Sequence, residues 1–253
     1  SFVMVLADGL GSGVKACILS TLTSKIISTM MANNLTIEDC VSTIASTLPV
    51  CEVRKVAYST FTIIRVVNNE YAEIIQYDNP MVILLRDGKN YDYPTTTMEI
   101  GGKTIYKSKL DLHEDDVFLA MSDGAIYAGV GKYMNFGWQR DNIITFMEGI
   151  YEKEYTAKTL ATILLDECER LYGFEPGDDT TIGAIKIRAR KQVNLMIGPP
   201  KDPADVNKME ALFFSKTGKH IVCGGTTSTL AAQYLGKPVI PVLDYLDPEV
   251  PPI

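Results

Sequence analysis

The pattern of apolar residues at the start of the chain predicts a buried strand followed by a helix. Residues 2–7 form a continuous apolar run that ends at Asp8 and Gly9, as a buried strand entering a turn would. Ser12 then stands where it can cap a helix over residues 14–31. The apolar residues of that helix recur every four positions and therefore lie near one face: Ile18, Leu22, Ile26 and Met30.

A second helix is predicted directly after the first, over residues 36–48. Its start is marked by Thr36 with Asp39 three residues later, a variant of the capping box in which each residue satisfies a backbone group of the other. The residues expected to face inward are Val41, Ile44, Ala45 and Leu48.

The sequence pattern changes after the helix pair and predicts an antiparallel sheet. Residues 59–112 consist of short β-branched runs separated by asparagine, aspartate, proline and glycine, which is typical of strands joined by tight turns. Residues 116–124 resemble the first strand, because an apolar run again ends in aspartate and glycine. Two helices over 141–151 and 157–172 precede a last strand within 177–190. Antiparallel strands with helices inserted in pairs imply an α+β layered sandwich.

After residue 190 the pattern alternates between strands and helices, which predicts a small parallel α/β unit. We therefore divide the chain into a first domain over 1–190 and a C-terminal unit over 191–253, whose role the sequence leaves open. The elements expected in the C-terminal unit are strands over 193–198, 220–225 and 238–243 and helices over 203–218 and 226–236.

Composition and charge narrow the class of protein without fixing its function. Hydrophobic residues make up 46% of the 253 residues and charged residues 22%, as in ordinary globular proteins. The net charge of −7 argues against a nucleic-acid partner, since a phosphate backbone is usually met by a surplus of lysine and arginine. Residues 1–190 carry the whole surplus, with 25 acidic against 18 basic side chains. Bound cations could offset that surplus.

The cysteines and the apolar runs indicate a cytoplasmic protein. Five cysteines are spread along the chain without a CxxC motif, and we expect reduced, buried thiols: Cys17, Cys40, Cys51, Cys168 and Cys223. No apolar run reaches the roughly 20 residues that span a bilayer, and no signal-like segment opens the chain. The chain begins at Ser1 with an apolar run and no initiator methionine, so we expect a piece of a longer protein, with no membrane contact from this piece.

Aspartates at three sites carry the chemistry that the sequence suggests. They are Asp8 in ADGLGSG, Asp123 in MSDGAIYAG, and Asp178 with Asp179 in GDDTT; each site lies beside glycine or opens a strand. Hard divalent cations such as Mg²⁺ and Mn²⁺ prefer several oxygen ligands, and an adjacent glycine lets the backbone come close enough to add its carbonyl. A single Asp-Gly pair is a common turn. Three such sites at the ends of apolar runs favour a metal-binding cluster.

The order of these motifs resembles that of the PPM metal-dependent serine/threonine phosphatases, and most closely the bacterial branch typified by stage II sporulation protein E. The resemblance covers roughly residues 1–188 and rests on ADGLGSG, a helix pair, an antiparallel meander, MSDG and DDTT in that order. It implies a layered α-β-β-α sandwich and two bound divalent cations, Mn²⁺ or Mg²⁺. It also implies a phosphorylated signalling protein as the substrate, by analogy an antagonist of an anti-sigma factor.

The resemblance implies a role for each matching residue. In the family, the aspartate of the first DG motif helps to bridge two metals and the following glycine carbonyl binds one of them, which matches Asp8 and Gly9. Asp123 and Asp178 match metal-binding acids, and Asp179, a further candidate metal ligand, stands where relatives vary. The implied reaction is hydrolysis of phosphoserine or phosphothreonine in one step by a metal-bridging water, so that Asp8, Asp123 and Asp178 are catalytic through that water.

The sequence also departs from the family pattern. Relatives carry a further metal-binding acid on a strand upstream of the first DG motif, and this chain starts after that position. A phosphatase-like module that has lost catalysis and serves as a regulatory or binding domain is therefore the alternative function. In sporulation-type relatives an upstream regulatory domain positions two switch helices, and residues 14–31 and 36–48 occupy their place. A plain helical layer is their other interpretation, and a homodimer is also left open.

Other motifs have simpler explanations than a functional site. Gly9, Gly11 and Gly13 follow a strand, but the second helix stands where a dinucleotide-binding loop would need a parallel strand ending in an acid. The two histidines, His113 and His220, have no partner in the sequence that suggests a nucleophile triad or a zinc site.

Three further segments are expected to be structural. Asp115 and Asp116 precede a strand and are expected to shape its start. An aromatic insertion follows the MSDG motif, and packing is favoured over substrate contact for its members: Tyr133, Met134, Phe136 and Trp138. Residues 224–228 join a strand to a helix, where backbone amides can bind an anion, but a turn with a threonine or serine cap is the favoured interpretation.

Overall fold

The structure is a computed structural model that forms two compact units, Ser1–Arg188 and Ala189–Ile253. The residues that it describes are 1–9, 11, 13–33, 35–47, 59–100, 102–175 and 177–240. None of the helices within these ranges combines the length and the apolarity that crossing a bilayer requires.

The first unit contains two antiparallel sheets and five helices among its described residues. Its strands are β1 (Phe2–Gly9), β2 (Ser59–Val67), β3 (Tyr71–Tyr77), β4 (Ile83–Arg86), β5 (Lys89–Asn90), β6 (Thr96–Ile100), β7 (Lys103–Asp111), β8 (Val117–Met121) and β9 (Ile182–Lys186). Its helices are α1 (Val14–Ala32), α2 (Ile37–Thr47), α3 (Asp123–Ile126), α4 (Arg140–Ile150) and α5 (Ala157–Leu171). The strand orders are β1-β2-β3-β7-β6 in the first sheet and β5-β4-β8-β9 in the second.

Side chains that point alternately to the two faces of each strand connect the layers of the sandwich. On β2, Phe61 and Ile63 face the core beneath α1 and α2, whereas Ile64 points to the opposite side of the first sheet. There it joins a central core with Phe118 of the second sheet, whose neighbour Leu119 faces the core beneath α4 and α5. The predicted α+β sandwich, with helices outside and two sheets inside, is confirmed.

The start of the second helix follows its sequence signal. The Thr36 hydroxyl accepts the Asp39 backbone N–H at 3.1 Å, and the Asp39 carboxylate accepts the Thr36 backbone N–H at 3.3 Å, so the predicted capping box is confirmed. Val41 and Ile44 are buried as expected. Predictions for the side chain of Ala45 and for Leu48, Ser12 and Cys51 fall outside the described residues.

The apolar face predicted for the first helix is only partly correct, because Ile26 and Met30 pack against the core beneath α1 and α2 and the other two residues do not. Ile18 and Leu22 are 52% and 46% exposed. The residues of α1 that are buried stand one position later: Ala16, Leu19, Thr23, Ile27 and Met31. Thr23 is fully buried in the middle of that stripe, so the buried face reads as less apolar in the sequence than the exposed face.

The expectation of buried thiols is correct for two cysteines and wrong for two. Cys40 and Cys168 are buried, whereas Cys17 and Cys223 are exposed. Cys17 lies on the outer side of α1, beside the exposed Ile18. A cysteine on a partly covered element has no periodic signal of its own, which is why its burial could not be predicted.

The second unit contains the predicted parallel pair of strands. Its described elements are β10 (Val193–Ile197), a 3₁₀ turn (Pro203–Asp205), α6 (Val206–Phe214), β11 (Lys219–Cys223) and α7 (Gly225–Leu235). The pair β10–β11 is parallel. A third strand is predicted over 238–243. Residues 238–240 do not form a strand, and residues 241–243 lie outside the described residues. Pro238 has no backbone N–H to give to a strand ladder.

Candidate active site

The predicted aspartates lie at the ends of three strands. Asp8 is the last residue but one of β1, and Asp123 opens α3 two positions after β8. Asp178 and Asp179 come shortly before β9. Because β8 and β9 are antiparallel and Met121 lies opposite Ile182, the end of β8 and the segment before β9 are neighbours.

Asp8 on the first sheet lies within electrostatic range of the acids on the second sheet. The pKa of Asp8 is raised to about 6, first by burial and then by the charges of Asp123 and Asp178, with a smaller contribution from Asp179. Burial and the charge of Asp178 also raise the pKa of Asp123. Negative charges that raise the pKa of Asp8 and Asp123 would also stabilise a bound cation.

Ser122 ties the segment of Asp123 to the segment of the paired aspartates. Its backbone N–H donates to the Thr181 carbonyl at 3.0 Å, and its hydroxyl accepts the Thr181 N–H at 2.9 Å. The same hydroxyl donates to the Asp179 carbonyl at 3.1 Å. Ser122 is 1% exposed, so these bonds are shielded from water. The three bonds fix the position of Asp178 and Asp179 relative to Asp123.

The glycines of both Asp-Gly motifs are required by close backbone contacts. A Cβ atom on Gly9 would lie 2.1 Å from the Ala16 carbonyl oxygen in the first turn of α1. A Cβ atom on Gly124 would lie 2.5 Å from the Asp179 carbonyl oxygen. Both distances are far below van der Waals contact, so each glycine allows its aspartate to approach a neighbouring segment.

Two supporting residues were not predicted from the sequence. The Tyr172 hydroxyl donates to the Gly124 carbonyl at 2.7 Å, and Tyr172 is 5% exposed. The Ser59 hydroxyl donates to the Asp8 carbonyl at 2.8 Å. Tyr172 ends an amphipathic helix and Ser59 begins a strand, so only their positions in the fold distinguish them from ordinary packing residues.

The residues of the site fit a hard divalent cation in donor type and in charge. Aspartate carboxylates and backbone carbonyls are the ligands that Mg²⁺ and Mn²⁺ prefer. The pKa of Asp8 is raised first by burial and then by the negative charges of Asp123 and Asp178, which a bound cation would offset. Across the part of the chain that the structure describes, no three histidine, cysteine, aspartate or glutamate side chains already enclose a metal-sized space. The acids are gathered without forming a closed coordination sphere.

The other acids singled out in the sequence form structural contacts, as expected. Asp116 is fully buried, and its carboxylate accepts two hydrogen bonds from the Arg86 guanidinium at 2.8 Å each. It also accepts the His113 backbone N–H at 2.9 Å, which shapes the start of β8. Asp115 pairs with Lys153 at 2.8 Å.

The aromatic insertion after the MSDG motif is only partly packed. Trp138 is 5% exposed and Met134 packs against the core beneath α4 and α5, as expected. Tyr133 and Phe136 are 71% and 81% exposed, so the expectation of packing is wrong for these two residues. Glycines with positive φ at 129, 131 and 137 turn the chain sharply in this segment, which carries both side chains away from the core.

The threonine or serine cap predicted within residues 224–228 does not form among the described contacts. Helix α7 begins after Gly224, which has φ of +98° and no side-chain cap, and the Ser228 N–H donates to the Gly224 carbonyl at 2.9 Å. Glycine at the cap position removes the steric penalty of this backbone conformation, which a threonine or serine would incur.

Known structures share this fold. The chain aligns with a PP2C phosphatase domain and a fragment of the regulatory domain of SpoIIE from Bacillus subtilis, at 19% identity and a TM-score of 0.62, over 75% of this chain and 55% of that one. It aligns with the RsbU and RsbW domains of Rv1364c from Mycobacterium tuberculosis at 16% identity and a TM-score of 0.62, over 83% and 59% of the two chains. It aligns with the SiaA PP2C domain of Pseudomonas aeruginosa at 14% identity and a TM-score of 0.55, over 73% of this chain and 75% of that one.

The fold is therefore that of PP2C-type phosphatase domains. The family model for stage II sporulation protein E (SpoIIE) matches residues 1–188, and the chain belongs to that family. This confirms the resemblance seen in the motifs. The chain spans about half of the SpoIIE structure described first, and no curated protein sequence matches it.

Proposed function

We propose that the chain is a metal-dependent protein phosphatase that hydrolyses phosphoserine or phosphothreonine in a cytoplasmic signalling protein, such as an antagonist of an anti-sigma factor. Membership of the SpoIIE family supports phosphatase chemistry. The observation that carries the proposal is the coupling of Asp8 on the first sheet to Asp123 and Asp178 on the second. Repulsion between these carboxylates does not stabilise the fold, so we attribute the clustering of the acids to cation binding.

The carboxylates of Asp8, Asp123 and Asp178 and the Gly9 carbonyl would hold the cations, with Asp179 as a further candidate. Two Mn²⁺ or Mg²⁺ ions would supply Lewis acidity and a water acidic enough to act as nucleophile near neutral pH. The chain's own contribution is positional. Ser122 holds the Asp178 segment against the end of β8 through its bonds to Thr181 and Asp179.

Regulation by an upstream domain through α1 is part of this proposal. The Ala16 carbonyl in the first turn of α1 packs directly on Gly9, next to Asp8. The outer face of the same helix exposes Val14, Ile18 and Leu22. A regulatory domain that bound this apolar face would shift a helix in contact with the end of β1 that carries Asp8. This contact supports a switching role for α1 over the role of a plain covering layer.

The alternative is a phosphatase-like module that binds or regulates without catalysis. It is favoured by one observation, namely that the described acids do not yet enclose a metal-sized space. In that case the gathered aspartates would be retained from an active ancestor and the domain would act through docking.

The test is hydrolysis of p-nitrophenyl phosphate and of a phosphoserine peptide, with and without added Mn²⁺. Four proteins are compared: this chain, a version extended upstream, and the Asp123→Asn variant of each. Glu152→Gln, an exposed acid away from the site, is the control for loss of one charge. We expect Mn²⁺-dependent turnover that Asp123→Asn abolishes and Glu152→Gln leaves unchanged. An extended protein that stays inert and binds no Mn²⁺ by calorimetry would overturn the enzyme proposal in favour of the alternative.

A further inference from the structure

A surface groove runs alongside the aspartate site, between α5 and the segment that carries the paired aspartates. Its cavity volume is about 350 Å³. Leu165, Glu169 and Tyr172 line one wall, and their spacing of four and three residues places them on one face of α5. With a rise of about 1.5 Å per residue, that wall is about 10 Å long.

The groove adjoins the proposed catalytic site directly. Asp178 and Asp179 line its opposite wall, and Asp178 also belongs to the coupled acids of the site. Tyr172 joins the two, because it lines the groove while its hydroxyl donates to the Gly124 carbonyl beside Asp123. A chain segment leaving the catalytic site on this side would therefore enter the groove.

The charges in the groove are of one sign. Asp166 and Glu169 line it together with the paired aspartates, and no basic side chain among the residues that the structure describes does so. The neighbouring cations are already paired, Arg170 with Glu167 and Lys132 with Glu175 at 2.9 Å. Within the described residues, neither Asp166 nor Glu169 forms an ion pair. The groove thus presents negative charge that a ligand with a cationic group would neutralise.

The walls fit a basic side chain better than a bare ion. Leu165, which is 43% exposed, gives an apolar surface for the methylene stem of lysine or arginine, and the carboxylates receive the charged head group. A hydrated metal ion gains no binding energy from contact with this apolar wall. The length of about 10 Å matches about three residues of extended peptide.

We propose that this groove selects phosphoproteins that carry an arginine or lysine two or three residues from the phosphorylated residue. Asp166 and Glu169 are the specificity-determining residues, acting on the basic side chain and not on the phosphate. The inference rests on the proposed phosphatase function and adds a substrate preference to it.

The test compares phosphoserine peptides that differ only in arginine or alanine at positions −3, −2, +2 and +3, with p-nitrophenyl phosphate as a substrate that cannot reach the groove. The proteins are the upstream-extended chain, its Asp166→Asn/Glu169→Gln variant, and a matched Glu152→Gln/Glu154→Gln variant with the same loss of charge. We expect kcat/KM to favour at least one arginine peptide about fivefold or more at low salt, an effect of the size expected for partly exposed charge pairs. The Asp166→Asn/Glu169→Gln variant should lose that preference and keep its activity on p-nitrophenyl phosphate.

The outcomes separate this inference from the proposed function. Turnover of p-nitrophenyl phosphate without any preference for arginine, or with a preference that survives Asp166→Asn/Glu169→Gln, overturns the groove assignment and leaves the phosphatase intact. A preference lost equally in the matched control variant shows a general charge effect and also overturns the assignment. Absence of turnover on every substrate contradicts the proposed function itself.

Discussion

Neutralising Asp178 should stabilise the metal-free protein and weaken its response to metal. The pKa of Asp8 is raised from 3.8 to about 6, and Asp178 contributes to this shift and to the raised pKa of Asp123. A shift of two pKa units corresponds to roughly 3 kcal/mol. Burial is the largest cause and solvent screens the partly exposed charges, so we assign about 0.5–1 kcal/mol to Asp178.

The pH dependence follows from the same shift. The pKa of Asp8 in the folded protein lies above its unfolded value of 3.8, so the stability linked to this group is fully present below that value and is lost as the pH rises through about 6. The metal-free protein should therefore become less stable between about pH 4 and pH 6 on account of Asp8. Asp178→Asn should make this loss smaller.

Calorimetric unfolding in EDTA measures both effects. For a domain of this size, we expect Asp178→Asn to raise Tm by about 1–3 °C at pH 7, and the exposed-acid control Glu152→Gln to leave it unchanged. Added Mn²⁺ should raise the Tm of the parent chain by mass action and that of Asp178→Asn much less. A lower Tm for Asp178→Asn in EDTA together with an undiminished Mn²⁺ response would refute the argument that these acids are gathered for a cation.

Three substitutions test the framework around the aspartates. Gly124→Ala should keep the fold by circular dichroism but lower Mn²⁺ affinity about tenfold or more by calorimetry, because its Cβ would lie 2.5 Å from the Asp179 carbonyl oxygen; unchanged affinity would contradict this. Tyr172→Phe, which loses the 2.7 Å bond to the Gly124 carbonyl, should cost about 1 kcal/mol in urea unfolding and weaken Mn²⁺ binding several-fold, and an effect on stability alone would limit Tyr172 to packing. Asp116→Asn leaves the Arg86 guanidinium without its buried partner and should cost about 3 kcal/mol in urea unfolding, with Mn²⁺ affinity unaltered in the folded protein; a cost below about 1 kcal/mol would show that the pair is dispensable.

The sequence predicts the fold well where one physical signal dominates. The capping box of Thr36 and Asp39 marks a helix start because both hydrogen bonds are local. The first helix shows the limit. Of its predicted apolar stripe, Ile18 and Leu22 are exposed, whereas the polar Thr23 is buried, so periodicity finds the helix but only approximately the side that packs.

The acids of the candidate site carry a local sequence pattern, whereas the residues that support them do not. Asp8, Asp123 and Asp178 each follow or precede an apolar run, which is a local pattern. Ser122 and Tyr172 act through partners 57 and 48 residues away, and neither has a local feature that separates it from a capping serine or a core tyrosine. Contacts between distant segments are set by the topology of the sheets, which a single sequence does not display.

The division of the acids between two sheets explains why the site depends on the whole sandwich. Asp8 belongs to an edge strand of the first sheet, whereas Asp123 stands at the end of a strand in the second. Two positions before Asp8, Leu6 enters the central core between the sheets, where it joins Phe118 and Ala120 of β8. Because protein cores are close-packed, the volume of these side chains sets the separation of the sheets. The spacing of the carboxylates is thus fixed by apolar residues of the central core, which no pattern of acids in the sequence could reveal.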